Sequence, residues 1–195
     1  MPATGRIGYS VGTMPNTPTA PTPLLQLPGY FTRPMRAEDA LAWTAFAVLP
    51  QVKRHTSSSV NSVADVAPIL ARAASDAPDA PVHFAVCTVA ERRLVGTVGF
   101  HTISVPNRSA EITYMLHPGH WGRGLATDCA RAAVAWGFGV RGWVRIQGTT
   151  LEPNVASQRV LLKAGFEYEG RLRNFRIVRG EPQDYLLFAV IAGSR

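Results

Sequence analysis

His120-Trp121-Gly122-Arg123-Gly124-Leu125-Ala126-Thr127 joins a strand-like segment, Ala110 to Leu116, to a helix-like one running from about Gly124 to Phe138. Glycines at 122 and 124 remove the Cβ atoms that would keep a phosphate off the main chain, and the following helix points unpaired N–H groups back at the loop. The stretch therefore reads as a diphosphate cradle. Backbone donors with no metal and no acidic ribose reader suit a nucleotide-containing thioester better than a nucleoside triphosphate. No Gly-x-Gly-x-x-Gly with an acidic residue about 20 positions on is present, and no Gly-Lys-Ser/Thr ends the loop. A glycine-rich turn between strand and helix also occurs in α/β domains that bind nothing there. The class narrows with a second segment, Asn154-Val155-Ala156-Ser157-Gln158-Arg159-Val160-Leu161-Leu162-Lys163-Ala164-Gly165-Phe166.

Outward from this pair, the 195-residue chain suits one full-sized domain, residues 24–195, behind a flexible Pro/Thr-rich tail, residues 1–23. No run of about 18 apolar residues is available to span a bilayer, and the N-terminus lacks the basic-then-apolar order of a secretory signal. Cys87 and Cys129 both sit among apolar neighbours and read as buried free thiols. Together these features predict a cytoplasmic protein. The formal charge of +7 is compatible with nucleic acid, but the arginines are scattered, as at Arg171, Arg173, Arg176 and Arg179, rather than blocked. A polyanionic small ligand accounts for the balance as well, and makes a nucleic-acid partner unlikely.

Phe31 to Arg36 reads as a first strand. Glu38 and Asp39 then open a helix with Leu41, Thr44, Ala45 and Val48 at helical spacing, closed by Pro50. Ser62 and Asp65 form a capping-box pattern for a second helix reaching Ala74, with Pro68 marking a kink or a later start. Val82 to Val89 and Leu94 to Ile103, around the charged turn Glu91-Arg92-Arg93, make an antiparallel hairpin, and Ala110 to Leu116 extends it into a meander. The helix after the loop carries Leu125, Cys129, Ala133 and Trp136 on one face, with Gly137 and Gly139 as breakers. Val144 to Thr150 is a strand, Asn154 caps a helix from Val155 to Ala164, Gly165 ends it, and Phe166 to Leu172 and Gln183 to Ile191 close the chain as strands. The result is an α+β fold, a mixed and mainly antiparallel sheet of six or seven strands flanked by helices.

With these elements in place, the sequence resembles the GNAT superfamily of N-acyltransferases, of the RimJ/RimL type. Ala110-Glu-Ile-Thr-Tyr-Met-Leu116 followed by Trp121-Gly-Arg-Gly-Leu-Ala126 is similar to that superfamily's Arg/Gln-x-x-Gly-x-Gly/Ala acyl-CoA loop, with Trp121 where Arg or Gln is commoner. Asn154-x-x-Ser157 with Lys163-x-Gly165-Phe166 matches a second block, and Gly170-Arg171 through Gly180 to Asp184-Tyr185 is like the closing strands. The resemblance implies a sheet splayed between its fourth and fifth strands. Acyl-CoA lies in the V with its diphosphate on Trp121, Gly122, Arg123, Gly124, Leu125, Ala126 and Thr127, and the acceptor amine enters from the other side. It also implies acetyl-CoA used directly, with no metal and no acyl-enzyme, and Asn154 on the pantetheine amides.

Amide formation needs a neutral amine. An α-amine with pKa near 8 is about 10% neutral at pH 7, whereas a lysine near 10.4 is deprotonated at an extra cost of roughly 3 kcal/mol. Glu111 is the candidate base, through an ordered water. The alternative is a solvated strand-edge carboxylate, or a salt-bridge partner for an arginine. A main-chain N–H near Met115 or Leu116 is placed to polarise the thioester carbonyl, and the Ser157 hydroxyl to supply the departing thiolate, although Ser157 is equally placed to brace its helix beside Asn154. Lys163 reads as a contact to the CoA phosphates or as a plain surface lysine. His83 and His101 can border the acceptor pocket as alternative bases, or serve as hydrogen-bonded structural residues, while His55, His117 and His120 lack metal-ligand spacing.

The leading expectation is an acetyl-CoA-dependent N-acetyltransferase for a protein N-terminal α-amine. Acetylation of a small amine (an antibiotic, polyamine or amino-acid derivative) is the alternative, and a non-catalytic acyl-CoA sensor or nucleic-acid binder the third reading. The final strand, rich in Leu186, Leu187, Phe188 and Val190, can serve a homodimer or the core.

Overall fold

The computed structural model describes residues 21–193, which form one seven-stranded sheet in the order β1-β2-β3-β4-β5-β7-β6. Its elements are β1 (Tyr30–Pro34), α1 (Asp39–Ala47), α2 (Pro50–Lys53), α3 (Val63–Ala73), β2 (Val82–Thr88), β3 (Leu94–Ser104), β4 (Ser109–Leu116), α4 (Leu125–Gly139), β5 (Arg145–Leu151), α5 (Val155–Lys163), β6 (Glu167–Val178) and β7 (Glu181–Ile191). All neighbouring strands pair antiparallel except β4 with β5. That parallel ladder holds only Ser109 to Glu111 against Arg145 to Gln147. Beyond Glu111 the two strands diverge, which is the splay that the resemblance implied.

Alternation along β4 sends Glu111, Thr113 and Met115 to one face and Ile112, Tyr114 and Leu116 to the other. Each face carries its own core. Ile112 and Leu116 pack with Val98, Phe100, Leu125, Cys129 and Trp136 beneath α4 and α5. Met115 packs against a second cluster of Trp43, Phe46, Val66, Leu70, Ala85 and Cys87 under α1 and α3. Both cysteines are buried free thiols. In α4, Gly137 does not break the helix but lies inside it, where a Cβ would stand 2.8 Å from Ile146 Cδ1 and 2.9 Å from the Trp143 ring.

Two expectations need correction here. The buried face of α1 is Ala40, Trp43, Thr44, Phe46 and Ala47, with Leu41 and Ala45 outward. Rotating the helix this way buries Trp43 and Phe46, whose rings remove far more apolar area from water than Leu41 does. Pro50 does not close α1; it is the first residue of α2, a position that wastes no N–H donor. Of the two readings of β7, the core one is seen: β7 lies between β5 and β6, Phe188 is in the main core with Leu186 and Val190 packed against it, and β1 and β6 are the two sheet edges.

The capping box of Ser62 and Asp65 is present, and α3 continues through Pro68. Of the tail, residues 1–20 lie outside the described residues. Pro21 and Pro23 are held to the domain, their carbonyls accepting from Trp136 Nε1 at 2.6 Å and Thr32 Oγ1 at 2.5 Å. No helix among the described residues is long and apolar enough to cross a membrane.

Candidate active site

A cavity of about 820 Å3 fills the splay and is lined by residues from both faces of β4. One half is built from the loop before α4 and from α5. The chain leaves β4 through one 3-10 turn, Pro118–His120, then passes Gly122 at φ +73° and Gly124 at φ +81°. These left-handed angles favour glycine, and a Cβ at either would meet nothing within 4 Å. The glycines are there for the turn and for the open space, not to relieve packing. Gly124 is the N-cap of the 15-residue α4 and gives it no side-chain cap, while Asp128 N–H already donates to Gly124 O. The N–H groups of Leu125, Ala126 and Thr127 are thus the free donors of the first turn. The nearest carboxylate, Asp128, is turned away and accepts from the main-chain N–H groups of Gln26 and Leu27 at 2.9 and 2.8 Å. Such a terminus has donors and a partial positive charge for an anion and no built-in occupant, so it fits a diphosphate.

Trp121, Gly122, Gly124, Leu125, Ala126 and Thr127 all line the cavity, whereas Arg123 is exposed beside it. The side chain at 121 does more than its sequence context indicated. Trp121 Nε1 donates to Leu116 O at 2.9 Å and fastens the loop to the end of β4. The start of the same loop is held by His120 Nδ1 against Tyr30 OH at 2.8 Å and by His117 Nδ1, which accepts from Gly119 N–H at 3.0 Å.

The β4 main chain supplies the second set of donors. His117 N–H donates to Val95 O in register with the β3–β4 ladder. In an antiparallel pair, hydrogen-bonded positions alternate, so Met115 and Thr113 direct their peptide groups at β3, and Ile112, Tyr114 and Leu116 direct theirs into the splay. Of Met115 and Leu116, the latter therefore presents its N–H to the cavity, and Met115 contributes wall.

On α5, Asn154 Oδ1 accepts from Ser157 N–H at 3.1 Å as the N-cap, and its Nδ2 donates to His55 O at 2.9 Å. The amide thus ties α5 to the segment after α2 while still lining the cavity. Ser157 Oγ lies 2.7 Å from Tyr114 OH. Burial pushes the Tyr114 hydroxyl up to about 12, more than the bond to Ser157 lowers it, so Tyr114 stays protonated. Sequence reasoning missed Tyr114 because its partner is 43 residues away. Lys163 and Arg159 add positive charge to this half.

The other half surrounds Glu111. The carboxylate is 3% exposed, in a central strand rather than at an edge. Its Oε1 accepts from Thr149 Oγ1 at 2.5 Å and from Arg176 Nη2 at 3.0 Å, and its Oε2 meets only Gln147 Nε2 at 3.4 Å. The salt-bridge alternative is realised, and Oε2 keeps accepting capacity. Gln147 lies across the parallel register from Glu111, and Thr149 is two residues further along the same strand, a proximity that strand alternation hints at. Arg176, arriving from β6 and stacked 5.1 Å from Phe175 and 5.4 Å from Tyr185, left no local sign in the sequence.

His101 Nε2 is 4.0 Å from Glu111 Oε1, and its Nδ1 is 2.7 Å from Thr102 Oγ1. Burial lowers the His101 pKa and Arg176 lowers it further, against the opposing pull of Glu111. His83 is pushed down to about 4 by burial and then by His101, and its buried Nδ1 has no hydrogen-bond partner among the described residues. Both imidazoles are neutral at pH 7. No group of three or more potential metal ligands occurs among the described residues.

Comparison with known proteins settles the family. The model of the acetyltransferase (GNAT) domain matches residues 31–167. The chain belongs to the GNAT acetyltransferase family. An uncharacterized N-acetyltransferase of Bacillus subtilis, YoaA, is 38% identical over 100 residues, which are 51% of this chain and 56% of YoaA. The chain thus matches little more than half of that curated relative. Among solved structures, the ribosomal-protein-S5-alanine acetyltransferase from Vibrio fischeri superposes with a TM-score of 0.77 at 19% identity, over 86% of this chain and 96% of the other. The spermidine N-acetyltransferase from Vibrio cholerae, in complex with CoA and spermine, gives 0.74 at 20% identity, over 84% and 95%. At such identities the two structures establish the shared GNAT fold and leave the acceptor of this GNAT domain undecided between a protein and a polyamine.

Proposed function

We propose that this protein moves the acetyl group of acetyl-CoA onto the α-amine of a protein or peptide N-terminus by direct attack. The choice of acceptor rests on the charge around Glu111. That residue is the one carboxylate lining the cavity among the described residues, and Arg176 already pairs with it, while Arg72 lines the same cavity. A compensated carboxylate offers no well for a full positive charge. The wall therefore favours an amine that sheds its proton easily, as an α-amine near pKa 8 does, over a polyamine whose several ammonium groups meet Arg72 and Arg176.

In the reaction, the amine nitrogen bonds to the thioester carbon and the C–S bond breaks. The amine's proton passes through a water to Glu111 Oε2, the oxygen that Thr149 and Arg176 leave free. The Leu116 N–H stabilises the carbonyl oxygen as it gains charge. With Tyr114 as the donor to Ser157 Oγ, the Ser157 hydroxyl is free to hydrogen-bond the departing sulfur, which leaves as the thiolate and takes its proton from water. The N-terminus of α4 holds the diphosphate, far from the bond being made.

The test is a panel of N-terminal peptides, polyamines and other small amines, read by free-thiol release, with Glu111→Gln alongside. Peptides are expected to be turned over fastest, and Glu111→Gln to lower kcat by about a hundredfold with acetyl-CoA affinity by calorimetry unchanged. Faster turnover of a polyamine or another small amine would replace the acceptor assignment by the small-molecule alternative. An undiminished kcat in Glu111→Gln would remove the base.

A further inference from the structure

Strand β3 outlasts the strand beside it. β2 begins at Val82, which pairs with Phe100, so His101 to Ser104 have no strand partner on that side among the described residues. The β3–β4 register also slips here, between His101 and Ser104, leaving Thr102 and Ile103 unpaired toward β4. Ile103 is buried in the core and anchors this overhang, while Thr102 is exposed and held at φ +50°. For a β-branched residue that angle is an outlier, and such strain persists where the surroundings impose it. The overhang therefore presents main-chain donors and acceptors at a fixed place instead of folding them into the sheet.

That place adjoins the reacting groups. A second cavity of about 340 Å3 runs beside the overhang and shares Arg72, Pro81 and His101 with the main cavity. His101 is both its boundary and the ladder partner of Glu111. His101 thus stands between Glu111 and the second cavity, which Thr102 and Ser104 line. The walls of the second cavity mix polar side chains, Arg72, Asp79, Thr102 and Ser104, with apolar Pro81 and Ile103, a lining that suits peptide groups carrying side chains.

We propose that the overhang of β3 is the subsite for the acceptor's second and third residues, an extended peptide that adds its main chain to the free edge. This rests on the peptide reading of the acceptor. It predicts that length matters. kcat/KM should rise from a single amino-acid amide to a tripeptide, and N-methylation of one of the two amides after the reacting residue should reduce it between about twofold and tenfold, the worth of one hydrogen bond. Methylation of the other amide should be silent, because alternate peptide groups face a strand partner. Backbone hydrogen exchange at Thr102 to Ser104 should slow when the acetylated tripeptide is added. Peptides acetylated with the same kcat/KM whatever their length and methylation, and with no slowing of exchange, would overturn the subsite and leave the proposed reaction standing. Failure of every peptide while a small amine is turned over would overturn both.

Discussion

His83 shows how one residue's surroundings become a property of the whole protein. Its neutral form is favoured by burial, which pushes its pKa from 6.5 down to about 4, with His101 adding to the effect. The unfolded chain takes up a proton at this residue near pH 6.5, and the folded chain does not until about pH 4. In that window the unfolded state binds more protons, so stability falls as pH drops from 6.5 and the loss saturates below 4. The full effect is roughly 3 kcal/mol. His83→Phe removes the titrating group while keeping a ring beside Trp43, which lies 5.5 Å away centre to centre. Urea midpoints measured at pH 7 and near pH 4.5 should fall steeply for the wild type and less for the variant. Equal slopes would mean that His83 is not held neutral. Arg33, whose guanidinium makes two 2.7 Å bonds to Asp39, instead holds that carboxylate below its usual range, so this pair weakens only at lower pH.

At the scale of elements, the N-terminus of α4 is the part most exposed to a single change. Gly124→Val places a β-branched residue at φ +81°, a strain of about 1–2 kcal/mol, in a loop where no neighbouring atom is crowded. The fold should therefore survive with a small drop in melting temperature, while the rearranged N-cap turns the N–H groups of Leu125 to Thr127 off target. Calorimetry should find acetyl-CoA bound at least about tenfold more weakly, the worth of one charge-assisted hydrogen bond. Unchanged affinity would remove the cradle. That this element was legible in the sequence has a local cause. Gly122 and Gly124, the apolar stripe from Leu125 to Trp136, and the capping residues Ser62 and Asn154 act on neighbours a few positions away. The orientation of α1 was not legible, because Leu41 and Trp43 compete for the interior and only the presence of the second core decides between them. Nor was the state of Glu111, whose partner Arg176 lies 65 residues on and reaches it only once β6 and β7 have paired.

The whole molecule carries a formal charge of +7, and its cavity concentrates that sign, with Arg72, Arg159, Lys163 and Arg176 against one carboxylate, Glu111, among the described residues. A cleft lined by one sign focuses the field on anything that enters it, and salt screens that field over about 8–10 Å. In the proposed reaction the two substrates carry opposite charges into the same cleft. Acetyl-CoA brings several negative charges and is drawn in, whereas an acceptor that arrives as an ammonium is repelled until it loses its proton. Added salt should therefore raise KM for acetyl-CoA and lower KM for a cationic peptide, two trends of opposite sign in one titration. Steady-state kinetics over a series of sodium chloride concentrations, with each substrate varied in turn, measures both. If both constants rose together, the acceptor would be entering through an attractive field. Glu111 would then have to face it without Arg176, and the preference for a weakly basic amine would lose its cause.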